Sequence, residues 1–364
     1  MPIKEESFRI GCGRYIQGVG YTQKVGEEVL RLGTSPLIIG GKTALGITRD
    51  NIERGVKENC NKYEFIVYTG TCNEESAKDF ASLAKEKGYD VIVGVGGGVI
   101  CDFAKLCGYF AKLPVINVPT SSATCAAYTP LSVRYTPDGK TVGSLHYSYE
   151  VNSVLADTEV IITQPMRLFL SGVFDALAKF VEIKQRYTED ITDYPLGLDY
   201  AYVLSKYSFN LLNNNIERCI KDLESGCATD MFEKIVYTTI AATGVISGVA
   251  RGSNQTAIAH KFYEATRSLF YNNTKEFTHG EIVGVGLLIQ NHFNGEVKNN
   301  KILLNLMRKY DLPSCIDSLN IERNDDTFEA YYNAVCKSSA IESEDEAVRF
   351  RESLKYLWGI KEND

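Results

Sequence analysis

The chain has 364 residues, more than one small core accommodates, so two domains are expected. Its composition, 44% hydrophobic and 23% charged, is that of a globular protein, and a net charge of −7 argues against nucleic acid or an anionic membrane as the main partner. No apolar run reaches the roughly 18 residues of a membrane span, the opening "MPIKEESFRIGCGRYIQG" lacks the apolar centre of a signal peptide, and ten scattered cysteines without a CxxC pair point to a cytoplasmic chain with reduced thiols.

The first part alternates. "PLIIGG" (36–41) and "EFIVYTG" (64–70) read as strands, and "ESAKDFASLAKEKG" (75–88) as a helix stopped by glycine. Strand "YDVIVGVGGG" (89–98), helix "VICDFAKLCGYFAK" (99–112) and strand "LPVINVPT" (113–120) follow. Such alternation predicts a doubly wound parallel sheet. In 132–147, Asp138-Gly139 between alternating segments predicts a hairpin, and "SVLADTEVII" (153–162) the last strand. Thr163 is a helix cap that tolerates Pro165 just inside. From there helices are expected at 171–184, 194–220, 230–248, 254–270, 280–296 and 325–356. The α/β dinucleotide-type domain is therefore placed at 1–163 and an all-α domain at 164–364.

Gly96, Gly97 and Gly98 lie between a strand and a helix, where bare backbone and a helix N-terminus suit a pyrophosphate. A tight strand–helix turn needs the same glycines, so both readings stand. On the following helix Asp102 reads as a capping charge and Lys105 as a solvated lysine. Asp175 is placed in the first turn of "SGVFDALAKFVEIK", among Phe174, Leu177 and Phe180. A carboxylate in that company needs a partner. Lys179 at i+4, the helix N-terminus and something outside the sequence are the three options. His260 and His279 are nineteen residues apart, which fits neither a zinc finger nor HExxH.

"GVGGGVICDFAK", "NVPTSSATCAAYTPLSVRY", "GVFDALAKFVE", "AIAHKFYEA" and "FTHGE" occur in the order seen in the iron-containing alcohol dehydrogenase superfamily, which the chain resembles over nearly its whole length. The glycerol dehydrogenase-like branch is most similar, and the fold implied is the dehydroquinate synthase-like one. The resemblance implies an N-terminal dinucleotide-binding domain, a helical C-terminal domain and an active site in the cleft between them. It also implies a divalent metal on Asp175, His260 and His279, favouring Zn²⁺ with Fe²⁺ as the alternative. Cofactor contacts implied are Gly96, Gly97, Gly98, Thr120, Thr129, Leu131 and Tyr135, with Ala123 replacing a serine of the family. A homo-oligomer, from dimer to octamer, is implied as well.

Three departures bear on the substrate. Glycerol dehydrogenases carry an aspartate where Cys125 stands, and a thiol cannot accept two polyol hydroxyls as a carboxylate does. Cys125 is also read as a small packing residue, and no neighbouring histidine makes it a reactive thiol. Lys179 occupies the place of a metal-binding histidine in the iron-dependent members, and it pairs with Asp175 or holds a substrate carboxylate. Arg251 matches a pocket-lining aromatic, and reads as a carboxylate ligand or a solvated arginine. "TCAAYTPLSV", "DALAK" and "LHY" resemble the bacterial hydroxycarboxylate dehydrogenases. His146, in that "LHY", reads as a hairpin histidine, and His292 has no assigned role. After "PLIIGGKT" no acidic residue awaits a ribose 2′-hydroxyl. Gly40 and Lys42 instead admit a 2′-phosphate, so NADPH is expected alongside NADH.

Together these features predict a metal-dependent, NAD(P)H-using reductase of a small 2-oxo acid, with glycerol dehydrogenase as the alternative. A dehydroquinate synthase-like lyase would need a glutamate as first ligand and a basic phosphate cluster, neither of which is seen. A non-catalytic binding protein would not need the intact Asp175, His260, His279 set.

Overall fold

The computed structural model describes residues 10–187, 194–250 and 255–361. They form two compact units. One comprises Ile10–Pro165 with Asn215–Val245, the other Met166–Asn214 with the described part of Ile246–Asp364.

The first unit is built on strands β1 (Tyr15–Gly18), β2 (Pro36–Gly40), β3 (Glu64–Val67), β4 (Val91–Gly96), β5 (Val115–Pro119), β6 (Leu131–Tyr135), β7 (Thr141–His146) and β8 (Ser153–Asp157). Six make one parallel sheet in the order β1-β8-β5-β4-β2-β3, while β6 and β7 pair antiparallel as the expected hairpin. Helices α1 (Val25–Leu30), α2 (Lys42–Asn59), α3 (Glu74–Glu86), α4 (Gly98–Ala111) and α5 (Thr158–Ile161) connect them. Successive side chains of a strand point to opposite faces. Ile38, Val93, Val95 and Ile116 therefore pack with Val29 and Ile52 on one side, and Leu37, Ile39 and Ile92 with Phe103 and Leu106 on the other. Both faces are covered, which is why "PLIIG" is a continuous apolar run.

The rest of the chain is helical: α6 (Met166–Ile183), α7 (Leu196–Ser225), α8 (Asp230–Tyr237), α9 (Thr243–Ala250), α10 (Ile258–Leu269), α11 (Tyr271–Thr274), α12 (His279–Phe293), α13 (Asn300–Lys309), α14 (Asp325–Cys336) and α15 (Glu344–Gly359). In the helical unit α12 is buried on nearly every side and packs on α6, α10 and α15. Gly280 permits that packing. A Cβ there would stand 1.9 Å from the carbonyl oxygen of Ser171 on α6. Backbone cannot yield as a side chain does, so Gly280→Ala should destabilise the protein by about 3 kcal/mol, read as a lower denaturant midpoint.

Several expectations are corrected. The last strand ends at Asp157, not 162, because the Asp157 carboxylate accepts the amide of Glu159 and starts α5. Helix α6 begins at Met166, so Asp175 lies mid-helix rather than in a first turn. The expected helix 230–248 is interrupted by a wide i→i+5 turn over Thr238–Ala242, where the Thr243 hydroxyl donates back to Thr238 O at 2.8 Å. The helix expected at 325–356 is two, since Ser343 caps a new start. Residues 215–245 group with the sheet unit: Gln17 Nε2 donates to Glu233 O at 2.8 Å, and the rings of Tyr15 and Tyr237 meet edge-on at 5.5 Å.

Candidate active site

Helix α6 presents Asp175, Lys179 and Glu182 at i, i+4 and i+7, one face of a 3.6-residue repeat, and all three are buried. His260 comes from the first turn of α10 and His279 is the first residue of α12. Asp175 Oδ1 lies 3.3 Å from His260 Nε2, 3.6 Å from His279 Nε2 and 3.3 Å from Lys179 Nζ. Lys179 Nζ is also 3.3 Å from His260 Nε2. One ligand atom from each of Asp175, His260 and His279 falls within a 4.8 Å span. The chain thus brings together four of its candidate residues from three helices.

Each imidazole is fixed by its surroundings. Thr278 caps α12 in a reciprocal capping box with Glu281. Arg167 of α6 clamps that glutamate with two bonds, 3.0 and 2.8 Å. Helix α10 has no such cap of its own, since its N-cap residue is Ala257. Its opening amides are met from outside: Glu182 Oε1 accepts those of Ala257 and His260 at 2.7 and 2.8 Å, and Gln290 Oε1 that of Ile258 at 2.8 Å. The other Glu182 oxygen lies 2.5 Å from His260 Nδ1. With a proton on Nδ1, Nε2 offers its lone pair toward Asp175.

The electrostatics follow the geometry. Burial works to raise the Asp175 carboxyl, but the Lys179 ammonium and the two imidazoles outweigh it and hold it well below the usual carboxylate range. Burial pushes His279 down, toward neutral imidazole. Burial would push His260 down too, but the Glu182 carboxylate overrides it and raises the group. A cation bound at Nε2 would therefore compete with a proton. Asp175 Oδ1 is buried among three nitrogens yet has no aligned hydrogen bond. That orphaned oxygen and a donor set of two imidazoles and one carboxylate fit a divalent metal. The His279 side chain is 33% exposed, so the centre is open on that side.

In the sheet unit, Gly40, Gly96 and Thr120 lie at the C-terminal ends of the neighbouring strands β2, β4 and β5. The amide of Thr120 donates to Gly96 O at 3.1 Å, and that of Gly41 to Val95 O at 3.2 Å. This is the edge at which open parallel sheets bind ligands. Gly97 precedes α4 and Gly98 begins it. A Cβ on Gly98 would come 2.8 Å from Thr124 Cγ2, so the glycine lets the 121–130 loop close over the helix. Lys42 is exposed in the first turn of α2. Cys125, partly buried, starts a short turn in that loop. Thr129 is buried, Leu131 begins β6 and Tyr135 ends it. Arg251 lies outside the described residues. His146 is exposed at the end of β7, and His292 packs on Tyr356 with Nδ1 2.9 Å from Ser353 Oγ.

The iron-containing alcohol dehydrogenase family profile matches residues 12–158. A glycerol dehydrogenase of Thermotoga maritima is 33% identical over 283 residues, covering 76% of this chain and 74% of that one. The chain belongs to the iron-containing alcohol dehydrogenase family. Hydroxycarboxylate dehydrogenase A of Escherichia coli is 32% identical over 268 residues, 71% of this chain and 70% of that protein. The crystal structure of a glycerol dehydrogenase from Schizosaccharomyces pombe shares the fold, with a TM-score of 0.82 over 97% of this chain and 90% of that one at 22% identity. As a member of this family the protein is a metal-dependent oxidoreductase of the alcohol dehydrogenase type. Among its described residues no helix is long and apolar enough to cross a membrane.

Glu182 was not singled out from the sequence, and the reading of Lys105 is corrected. Glu182 carried a signal, its place at i+7 from Asp175 on one face. Lys105, expected in solvent, is buried beside Asp102, with Nζ 2.8 Å from Asp102 Oδ1. No periodicity marked it.

Proposed function

We propose that the enzyme reduces a small 2-oxo acid to the 2-hydroxy acid, with Asp175, His260 and His279 as ligands of a divalent metal and Lys179 as the anchor of the substrate carboxylate. The observation that carries this reading is the buried Lys179 ammonium at 3.3 Å from both Asp175 and His260. One divalent cation and one ammonium set against the carboxylates of Asp175 and Glu182 leave one positive charge over. A monocarboxylate substrate neutralises it and a polyol does not. Cys125 in place of a loop carboxylate removes a repulsive charge, and the likeness to hydroxycarboxylate dehydrogenase A points the same way. Several relatives bear the name glycerol dehydrogenase, which favours glycerol oxidation as the second reading.

A metal held there would supply Lewis-acid polarisation of the carbonyl, and a reduced nicotinamide the hydride. The chain's own residues do the rest. Glu182 orients His260, the capping box orients His279, and Lys179 fixes which end of the substrate enters. Zn²⁺ suits two imidazoles and a carboxylate, with Fe²⁺ second. Gly96, Gly97, Gly98, Thr120, Thr129, Leu131 and Tyr135 are assigned to the nicotinamide cofactor. Gly40 and Lys42, with no carboxylate beside them, support acceptance of NADPH as well as NADH. The free thiols of all ten cysteines accord with a cytoplasmic enzyme, and a homo-oligomer is proposed from the family resemblance.

The test is NAD(P)H oxidation by zinc-loaded protein with 2-oxobutyrate against dihydroxyacetone. The oxo acid should turn over faster. Lys179→Met should raise KM for 2-oxobutyrate about 10- to 100-fold more than KM for dihydroxyacetone, the effect of losing one charge-assisted contact. A preference for dihydroxyacetone, or equal effects of Lys179→Met on both, overturns the carboxylate assignment.

A further inference from the structure

Lys105 is a long way in sequence from the metal ligands, and the chemistry above makes no use of it. Its ammonium is buried and points into the 126–131 segment. There it donates to the carbonyl oxygens of Ala126 at 2.6 Å, Thr129 at 2.9 Å and Leu131, and it faces Asp102 Oδ1 at 2.8 Å. Asp102 continues the network: Oδ2 accepts the amide of Val133 at 3.0 Å, and its carbonyl oxygen accepts the Ser132 hydroxyl at 2.7 Å. The Tyr147 hydroxyl closes on Ser132 Oγ at 2.7 Å. Asn117 of β5 donates to Ala127 O at 3.0 Å.

The 121–130 loop belongs to no ladder, so its buried carbonyls need donors from elsewhere. One ammonium meets two of them, at Ala126 and Thr129, and a third carbonyl at Leu131, where β6 begins. A lysine has three donors and a tolerant geometry, which suits carbonyls that converge from an irregular segment. Residues 125–131 include Cys125, Thr129 and Leu131, three of the residues assigned to substrate and cofactor. Lys105 itself stands on α4, whose N-terminus is the Gly97–Gly98 turn. One helix therefore presents the glycine turn at its start and grips the opposing loop from its second turn.

We propose that Lys105, held by Asp102, is a positioning residue for nicotinamide binding: it fixes the 126–131 backbone against α4 so that the loop and the glycine turn take the cofactor as one surface. This rests on the assignment of that turn and loop to the cofactor.

Equilibrium binding of NADH and NADPH to the full, metal-loaded chain, followed by nicotinamide fluorescence, tests it. The nucleotide that wild type binds tighter is the probe. Lys105→Met and the isosteric Asp102→Asn should each weaken that binding about tenfold or more, with metal content held at the wild-type value. A purely structural role would lower the melting temperature and leave the dissociation constant of the folded fraction where it was. Should Lys105→Met not fold, Asp102→Asn decides. A folded variant that binds as wild type does overturns the proposal alone. Wild-type protein that binds neither nucleotide overturns the cofactor assignment and this proposal together.

Discussion

Asp175→Asn is expected to empty the centre of metal and to lower turnover by about a thousandfold or more. Lewis-acid polarisation is worth several kcal/mol of transition-state stabilisation, and each 1.36 kcal/mol is a factor of about ten. An asparagine carbonyl keeps the shape but not the charge that would hold a dication between two neutral imidazoles. The same change has a second effect. It strips Lys179 of its carboxylate partner at 3.3 Å in a buried site, and breaking one side of such a pair costs about 3–5 kcal/mol. Asp175→Asn should therefore melt earlier as well. Combining it with Lys179→Met removes the ammonium that has lost this charge and should recover most of the lost stability without recovering metal or turnover. Metal content by elemental analysis and thermal melting of the single and double variants separate the two effects. Stoichiometric metal in purified Asp175→Asn would refute the ligand assignment.

The second large effect belongs to a residue that ligates nothing. Glu182→Gln retains an acceptor for the amides of Ala257 and His260, so the start of α10 should survive. What changes is the group facing His260 Nδ1, 2.5 Å from the carboxylate. If the amide turns its NH₂ there, Nδ1 becomes the acceptor and the ring proton moves to Nε2, the atom that faces Asp175. The imidazole then has no lone pair for a metal. Losses of this kind run about 10- to 100-fold in metal affinity. Zn²⁺ titration against a competing chelator should show that drop with the circular dichroism of the protein unchanged. Unchanged affinity would mean that Glu182 serves only to cap the helix. Glu182→Ala should do more damage, since two buried amides also lose their acceptor.

The sheet unit was legible because its information is local. Apolar runs ending in glycine, helices between them and Asp138-Gly139 in a hairpin each fix their own element. The cluster of Asp175, His260 and His279 was legible in another way, through motifs around the three residues that together point to one family. What escaped was decided by the neighbour across the gap. Glu182 looks like any carboxylate near a helix end until α10 is seen to arrive uncapped above it. Lys105 looks like any lysine after an alanine until three carbonyls turn toward it. The break in 325–356 was missed because "CKSSAIES" mixes apolar and polar residues at a spacing that a continuous helix also tolerates, whereas Ser343 caps a new start. Burial of Lys105 and Glu182 inverted the usual expectation for charged residues.

The uncapped start of α10 bears on how this centre could be transplanted. A designer who copied the three proposed ligands and their helices onto a new scaffold would carry over a histidine whose helix lacks the acceptors that hold its first turn. Those acceptors sit on α6 and α12, as Glu182 and Gln290. The smallest portable piece is therefore not a motif along the chain. It is a knot of three helix segments in which the glutamate that steers the imidazole also begins the helix that bears it.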